Sequence, residues 1–277
     1  MICNCCGNKP TQVNKSSEYI YYRCKTCGFW TSRLHNGEFP KMDYTDVPTF
    51  DRNAKTAFLS LAKEAEHIMQ QKFKLTGMEK TKGRFLDIGC SEGVYIHAMK
   101  TLGWDAYGLE VDRAKIERAK ERSLNLYHFS DHGLLDKQSM DFIIVRHVIE
   151  HVPDFMAMLE IAVTLLSPSG ILCIETPNQA SFKSYLVRRK IRQGCNLAHI
   201  YPPTHIHGFE PKTLTLIGTK LGLLASKCIT YSPADKRWTF KSLYTRTGFI
   251  PLVHKITSSI SLGENIAVFY RKKSKTT

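Results

Sequence analysis

Acidic residues and long apolar runs are both scarce in this sequence. Its 277 residues include 25 Asp and Glu against 39 Lys and Arg, which gives a formal net charge of +14. This imbalance favours an anionic partner such as a nucleic acid, a phosphate-bearing sugar or an acidic lipid, although a solvated basic surface is the alternative. Every apolar run is shorter than the ~18 residues that a membrane-spanning helix needs. The opening Met-Ile-Cys does not begin a signal peptide. We therefore expect a cytoplasmic protein without a membrane span.

Cysteine is unevenly distributed. Five of the nine cysteines lie in the first 27 residues. Two Cys-x-x-Cys-Gly sequences each present two thiolates at one turn, and together they fit a tetrahedral zinc site. The predicted ligands of this structural zinc are Cys3, Cys6, Cys24 and Cys27. Cys5 is a surplus thiol with the wrong spacing. Residues 1–40 are therefore predicted to form a zinc ribbon whose metal supplies folding energy, and which serves as a scaffold or docking element.

The most informative stretch begins with a buried apolar run, Phe85–Ile88, which predicts a parallel strand. Gly89 and Gly93 follow it, and glycine permits a sharp turn and a close approach to a ligand. A helix predicted over 94–102 and a strand predicted over 105–109 come next. This order is that of a nucleotide-binding βαβ unit.

Two residues, one at the end of that second strand and one in the middle of the turn, restrict the type of ligand that this unit can bind. Glu110 closes the strand, where a carboxylate can accept hydrogen bonds from both ribose hydroxyls. Ser91 stands where the dinucleotide fingerprint has its middle glycine. The unit therefore predicts a ligand with ribose and adenine but no pyrophosphate.

The segment Asp87–Gly93 resembles motif I of the class I S-adenosylmethionine (SAM)-dependent methyltransferases, Asp-x-Gly-x-x-x-Gly. The resemblance implies that Asp87 and Gly89 lie beside the methionine part of SAM, with Gly93 under the sugar. Glu110 would bind the ribose hydroxyls. A NAD-type Rossmann unit or an unliganded turn is the alternative interpretation. The other predicted cofactor-binding residues are Cys90, Ser91, Val111, Ser130, Asp131 and Arg146. Of these, Ser130 and Asp131 are placed near the adenine.

A second motif, Arg-His-Val-Ile-Glu-His-Val, follows a strand predicted over 140–145. It resembles the Glu-x-x-Glu-His-Val segment of polyprenyl-dihydroxybenzoate O-methyltransferases and of small-RNA 3′-terminal 2′-O-methyltransferases. In those families two glutamates and the histidine hold a divalent cation. Here His147 replaces the first glutamate, while Glu150 and His151 match. Imidazole ligates transition metals but is a poor magnesium ligand, so the motif indicates either a second metal site at Glu150 and His151 or a structural, substrate-orienting role.

The chain beyond this motif keeps the same resemblance. Pro-x-Gly, an apolar strand and Thr-Pro-Asn follow in the order of the ubiquinone-biosynthesis-type (methyltransferase-23-like) branch, and the likeness covers about residues 83–223. It implies an α/β fold with a Rossmann-like seven-stranded sheet. The implied units are a zinc ribbon (1–40), a helical connector (41–82) and a methyltransferase domain (83–277) with an acceptor-covering insertion at about 180–210.

The insertion also resembles the family pattern Pro-x-His-x-x-x-Phe-x-Pro near the acceptor. His205 or His207 could therefore act as general base, because an imidazole titrates near neutral pH. The alternative is that these histidines only hold the loop by hydrogen bonds. With His147 they form the set of candidate catalytic residues.

Together the motifs predict an enzyme that binds SAM and methylates a hydroxyl of a small-molecule or glycan acceptor. The basic insertion favours a phosphate-bearing one. An RNA methyltransferase that uses the ribbon and the basic surface for binding is the alternative, although no Asn-Pro-Pro-Tyr type base-holding motif occurs. A non-catalytic SAM-fold binding protein is a third interpretation.

Overall fold

Two β-sheets organise the protein, whose computed structural model describes residues 1–41, 55–78, 82–190, 199–232 and 262–273. The larger sheet has seven strands and the smaller has four. The seven-stranded sheet confirms the predicted Rossmann-like α/β fold.

The small sheet contains the predicted ribbon and one strand from elsewhere. Its antiparallel strands are β1 (Thr11–Lys15), β2 (Tyr19–Arg23) and β3 (Trp30–Leu34). The fourth strand, His207–Gly208 (numbered β9 in chain order), pairs antiparallel with β3. The ribbon sheet is thus completed by a segment more than 170 residues further along the chain, which the sequence did not indicate.

The strands of the large sheet are β4 (Arg84–Ile88), β5 (Asp105–Glu110), β6 (Asn125–His128), β7 (Met140–Arg146), β8 (Leu166–Pro177), β10 (Leu223–Tyr231) and β11 (Asn265–Lys272). Their order in the sheet is β10-β11-β8-β7-β4-β5-β6, with β11 antiparallel to both of its neighbours. The pairings among β4, β5, β6, β7 and β8 are all parallel.

The central strands are buried on both faces, as expected of a parallel sheet covered by helices. The helices are α1 (Lys55–Thr76), α2 (Val94–Thr101), α3 (Arg113–Glu121), α4 (Phe155–Leu165), α5 (Phe182–Lys190) and α6 (Pro211–Lys220). Phe85, Phe142 and Ile144 are fully buried on one face with α1–α3, while Leu86 and Ile143 pack on the other with α4 and α6. The ribbon cysteines belong to the same apolar cluster as α4 and α6, so the ribbon packs onto the domain.

Two sequence expectations differ from the described elements. Helix α5 occupies the start of the insertion, for which the sequence predicts no helix. Strand β8 begins at Leu166, five residues before the apolar strand that the sequence predicts over 171–175. Within the described ranges, no helix is both long and apolar enough to cross a membrane.

The strand order reverses between β4 and β7. From β4 the chain adds β5 and β6 on one side, and then adds β7 and β8 on the other. Ligands of open α/β sheets bind at the carboxyl ends of strands beside such a reversal. The candidate site is therefore expected where β4, β5 and β7 end.

Candidate active site and zinc cluster

The four predicted zinc ligands come together in the ribbon. Their sulfur atoms lie within 4.8 Å of one another, with Cys3 and Cys27 Sγ 3.6 Å apart and Cys6 and Cys24 Sγ 3.3 Å apart. In each knuckle the glycine N–H donates to the first cysteine's carbonyl, which curls the turn around the sulfurs. Four thiolates at this spacing suit a closed, structural zinc site. Cys5 is buried nearby but falls outside this four-sulfur set.

The turn after β4 brings the backbone close to the sheet. Gly89, Ser91 and Gly93 all have left-handed φ angles, of +76°, +51° and +81°. A Cβ at Gly89 would lie 2.4 Å from a methyl of Val148. Only glycine fits there, since it has no Cβ and tolerates a positive φ.

Glu110 closes this turn from the end of β5. Its Oε2 accepts a hydrogen bond from the Ser91 N–H (2.7 Å), and its Oε1 accepts from the N–H groups of Val111 (2.8 Å) and Asp112 (3.1 Å). The carboxylate is buried, yet it lines a cavity. Three of its roughly four acceptor sites are thus used by the backbone, which holds the carboxylate rigidly and leaves a site on Oε2 for a ligand.

Two cavities flank the glycine turn. The α1 cavity, of about 340 Å³, lies between α1 and the ends of β4 and β7, and the α4 cavity, of about 440 Å³, lies between α4 and the end of β5. Gly89, Ser91 and His147 line both cavities. The two cavities therefore adjoin at the predicted site, and their combined volume is large enough for an extended ligand.

Charged side chains surround the α1 cavity. Buried Glu175 pairs with Lys72 of α1, and its Oε2 lies 3.0 Å from Nε of Arg146, which lines the cavity. Burial raises the pKa of the Asp87 carboxyl to about 7; Arg146 opposes this shift, and Glu110 adds to it. Burial would also raise the pKa of Glu175, but Lys72 and Arg146 together lower it. The cavity thus presents a guanidinium and a carboxyl group, which complement a zwitterionic amino acid.

His147 adopts a strained backbone conformation between the two cavities, with φ of +53°. Its Nδ1 lies 3.3 Å from Oε1 of Glu150, and Oε2 of that carboxylate accepts from the Thr176 hydroxyl (3.0 Å). Burial alone would raise the pKa of Glu150, but the hydrogen bond and charge of His147 outweigh burial and hold the pKa at about 2. An ionised Glu150 can accept a hydrogen bond from Nδ1 of His147, and this tautomer leaves Nε2 of the ring as a hydrogen-bond acceptor.

His151 and His205 approach the same carboxylate. Nδ1 of His151 donates to the Thr204 carbonyl (2.8 Å), and Nδ1 of His205 donates to the His199 carbonyl (3.0 Å). Nε2 of His205 accepts from the Tyr201 hydroxyl at 2.9 Å. Burial lowers the pKa of His205 to about 4, so its ring is neutral. One ligand atom each from His205, His151 and Glu150 lies within 4.8 Å of the others, and the carbonyl-anchored Nδ1 groups are typical of metal-binding histidines.

His207 lies in a cluster of aromatic side chains. Its ring is fully buried and lies 5.2 to 6.3 Å from the ring centroids of Phe29, Phe39, Phe155 and Phe209. Burial lowers its pKa to about 3, and its Nε2 donates to the Pro153 carbonyl at 3.4 Å. The ring is enclosed by aromatic side chains and lines neither cavity, so an acceptor in the cavities would not reach it.

The other predicted residues divide between the two cavities. Asp87, Cys90 and Arg146 line the α1 cavity, while Glu110 and Val111 line the α4 cavity. Ser130 and Asp131 lie on the exposed 3-10 helix Phe129–Leu134, where their side chains form a hydrogen bond with each other. Ser130 also forms a hydrogen bond with His128. Phe129 is the residue of that helix that lines the α4 cavity. Of the residues in this helix, it is therefore Phe129 that a ligand in the α4 cavity would contact.

Sequence reasoning also missed Tyr95, Thr204 and Lys115, which line the cavities. Tyr95 is the second residue of the helix that follows the glycine turn, where a side chain can reach the ligand space, so its position was a usable signal. Thr204 is close in space to His151 but far from it in sequence, and no local pattern marks it.

The fold, the glycine turn and the buried carboxylate at the end of β5 define a SAM-dependent methyltransferase. The profile of the family described as "Methyltransferase domain" (Methyltransf_23) matches residues 61–224. That is more than half of the chain, so the protein belongs to this methyltransferase family.

Known relatives agree with this assignment. The chain is 26% identical over 164 residues to the Ubiquinone biosynthesis O-methyltransferase of Hydrogenovibrio crunogenus, covering 55% of this chain and 68% of that protein. It is 29% identical over 181 residues to the protein of the same name from Paraburkholderia phymatum, covering 58% of this chain and 74% of that one.

Solved structures show the same fold. A SAM-dependent methyltransferase from Archaeoglobus fulgidus superposes with a TM-score of 0.52 at 20% identity, covering 78% of this chain and 99% of that chain. A second, from Mesorhizobium loti, gives a TM-score of 0.53 at 14% identity, covering 76% and 100%.

Proposed function

We propose that this enzyme transfers the methyl group of SAM to a hydroxyl of a small-molecule or glycan acceptor. The observation that carries the proposal is the position of His147, which lines both cavities with Nδ1 on the buried Glu150 carboxylate. The names of the relatives, both O-methyltransferases, support a hydroxyl as the acceptor.

The cavities suggest how SAM lies. We place the ribose on Glu110 and the adenine beside Phe129 and Val111 in the α4 cavity, which is the more apolar of the two in its side chains. The amino-acid end would then occupy the α1 cavity, with its ammonium on Asp87 and its carboxylate on Arg146. This arrangement brings the sulfonium to the residues shared by both cavities, next to His147.

Transfer is an in-line displacement. The acceptor oxygen forms a bond to the methyl carbon while the carbon–sulfur bond breaks, and the bonding electrons remain on sulfur as the neutral thioether. The hydroxyl proton passes to Nε2 of His147, and the carboxylate of Glu150 stabilises the imidazolium that forms. The proton then leaves to solvent. Oriented general-base catalysis of this kind contributes about 10²–10⁴-fold.

A metal-assisted version of the same reaction uses the neighbouring residues. Glu150, His151 and His205 fit a transition metal better than magnesium, because two of the three donors are imidazoles. Tyr201 would have to release Nε2 of His205. A cation held there would supply Lewis-acid polarisation of the acceptor hydroxyl.

RNA is the second candidate acceptor, favoured by the net charge of +14. The experiment that separates the two is transfer of radiolabelled methyl from SAM into a fractionated cell extract, with and without ribonuclease. We expect label in a ribonuclease-resistant small-molecule or glycan fraction. Label that ribonuclease makes acid-soluble would overturn the proposal. A parallel arm with a chelator, checked for retained ribbon zinc, tests the metal-assisted version, which predicts loss of transfer.

The proposed role of Asp87 makes SAM affinity dependent on pH. The raised pKa of about 7 means that the free enzyme carries a protonated Asp87 at pH 5.5, whereas the SAM ammonium needs a carboxylate. Affinity should therefore rise about tenfold or more between pH 5.5 and 7.5, because each unit below the pKa removes about nine-tenths of the carboxylate. Isothermal titration calorimetry measures this. Asp87→Asn should bind SAM no more tightly than the wild type does at pH 5.5, and with the same affinity at both pH values. Equal wild-type affinities at pH 5.5 and 7.5 would contradict the role.

A further inference from the structure

Residues 204–210, here called the shared segment, lie along the second motif. The Thr204 carbonyl accepts the hydrogen bond from Nδ1 of His151 (2.8 Å). The N–H groups of Ile206 and His207 both donate to the Glu150 carbonyl, at 2.9 and 3.1 Å. The rings of His151 and His205 meet edge to face with centroids 4.6 Å apart. This edge of the shared segment therefore touches the residues that we place in the chemistry, and Thr204 lines the α4 cavity.

The opposite edge of the shared segment binds the ribbon. His207 and Gly208 pair with Thr31 and Trp30 of β3. The Ser32 N–H and hydroxyl both donate to the Ile206 carbonyl, at 2.9 and 3.2 Å. The backbone of Ile206 thus donates to Glu150 and accepts from Ser32.

Glu210 fastens the end of the shared segment to the ribbon. Its Oε1 accepts from Nη2 of Arg23 (2.8 Å) and from Nε1 of Trp30 (3.1 Å), and it is mostly buried. Three residues later, the Thr213 hydroxyl donates to the Cys27 carbonyl at 2.7 Å. The contact chain therefore runs from a predicted zinc ligand to the segment that touches Glu150.

We infer that the ribbon is a positioning part of the methyl-transfer site: it holds the shared segment against Glu150 and His151. The inference rests on the proposed function for the chemistry of those residues. A two-residue strand such as β9 has little intrinsic stability. Without β3, the buried backbone groups of β9 would lose their hydrogen-bond partners. Because an unpaired buried polar group costs free energy, the segment would move to a position where water reaches these groups. Arg23, Trp30 and Glu210 are accordingly positioning residues.

The test is the full-length double variant Arg23→Ala/Trp30→Phe, which removes both donors to Glu210 Oε1 and keeps an aromatic ring at position 30. Hydrogen–deuterium exchange of peptides spanning 199–210 should accelerate by about tenfold or more, because the segment opens more readily. The turnover number for methyl transfer should fall about tenfold to a hundredfold, since small displacements of groups in a site cost rates of this order. The KM for SAM and the zinc content should stay at wild-type values.

Two matched variants complete the design. Arg84→Ala removes an arginine from a 2.9 Å pair with Asp136 at the far end of β4 and should change neither exchange at 199–210 nor turnover. Arg23→Lys with Trp30 intact should keep both the exchange rate at 199–210 and the turnover number close to their wild-type values. Unchanged exchange in the double variant would overturn the inference, as would faster exchange with wild-type turnover. If the wild type itself transfers no label to a hydroxyl acceptor, the proposed function fails, while the exchange result still decides whether the ribbon holds the segment.

Discussion

His147→Asn should lower the turnover number for methyl transfer by about 10²–10⁴-fold, the contribution expected of a positioned general base. Asparagine is chosen because it tolerates the left-handed backbone that position 147 adopts, with φ of +53°. SAM affinity should stay within a few-fold of the wild type, since the ribose, ammonium and carboxylate groups that we propose for SAM are untouched. Radiolabel transfer and calorimetry measure the two quantities.

His35→Asn is the matched control, because His35 is exposed on the ribbon and bonds only to the Ser16 carbonyl among the contacts described for it. It should retain wild-type turnover. A His147→Asn enzyme with near wild-type turnover would remove His147 as the base and leave the metal-assisted version. A variant that lost SAM binding instead would indicate that His147 holds the cofactor.

Cys24→Ser should abolish metal binding by the ribbon and destabilise the protein. Cys24 is completely buried among the four sulfurs, and a hydroxyl is a far weaker zinc ligand than a thiolate. Zinc content should fall from one per chain to near zero. If the metal supplies about 3 kcal/mol or more, the melting temperature should drop by roughly 10 °C, given about 2–4 °C per kcal/mol for a chain of this size.

Cys228→Ser is the control for this change, because Cys228 is an exposed thiol on β10. It should leave both zinc content and melting temperature unchanged. Cys5→Ser asks a finer question: it should keep the metal, because Cys5 lies outside the four-sulfur set. Stoichiometric zinc in Cys24→Ser would mean that Cys5 or another group replaces it, and the predicted ligand set would be wrong.

The metal-site expectations show where spacing suffices and where it does not. Each Cys-x-x-Cys pair brings its own two sulfurs to one turn, so the four-cysteine cluster could be predicted from sequence. The second cluster needed His205 to be placed beside Glu150, 55 residues earlier. Spacing alone gave His205 and His207 equal standing, and only packing separated them: one ring faces His151, and the other is enclosed by phenylalanines.

Arg146 was among the predicted cofactor-binding residues, but the ion pair behind it, between Lys72 and Glu175, could not be predicted. Lys72 reads as one polar position on an amphipathic helix, and Glu175 as the last residue of an apolar strand. The structure buries both and joins them, with Arg146 on the same carboxylate. An ion pair between residues about a hundred positions apart produces no local sequence pattern from which it could be predicted.

The sequence by itself determined the class of protein. Strand periodicity, the glycine turn after β4, the closing Glu110 and the clustered cysteines are local patterns, because each depends on neighbours within a few residues that fix backbone conformation directly. Tertiary structure decided which histidines reach the cavities and that β9 completes the ribbon sheet. Those outcomes depend on contacts between distant segments, whose geometry is set only when the apolar faces of the sheet and helices are buried together.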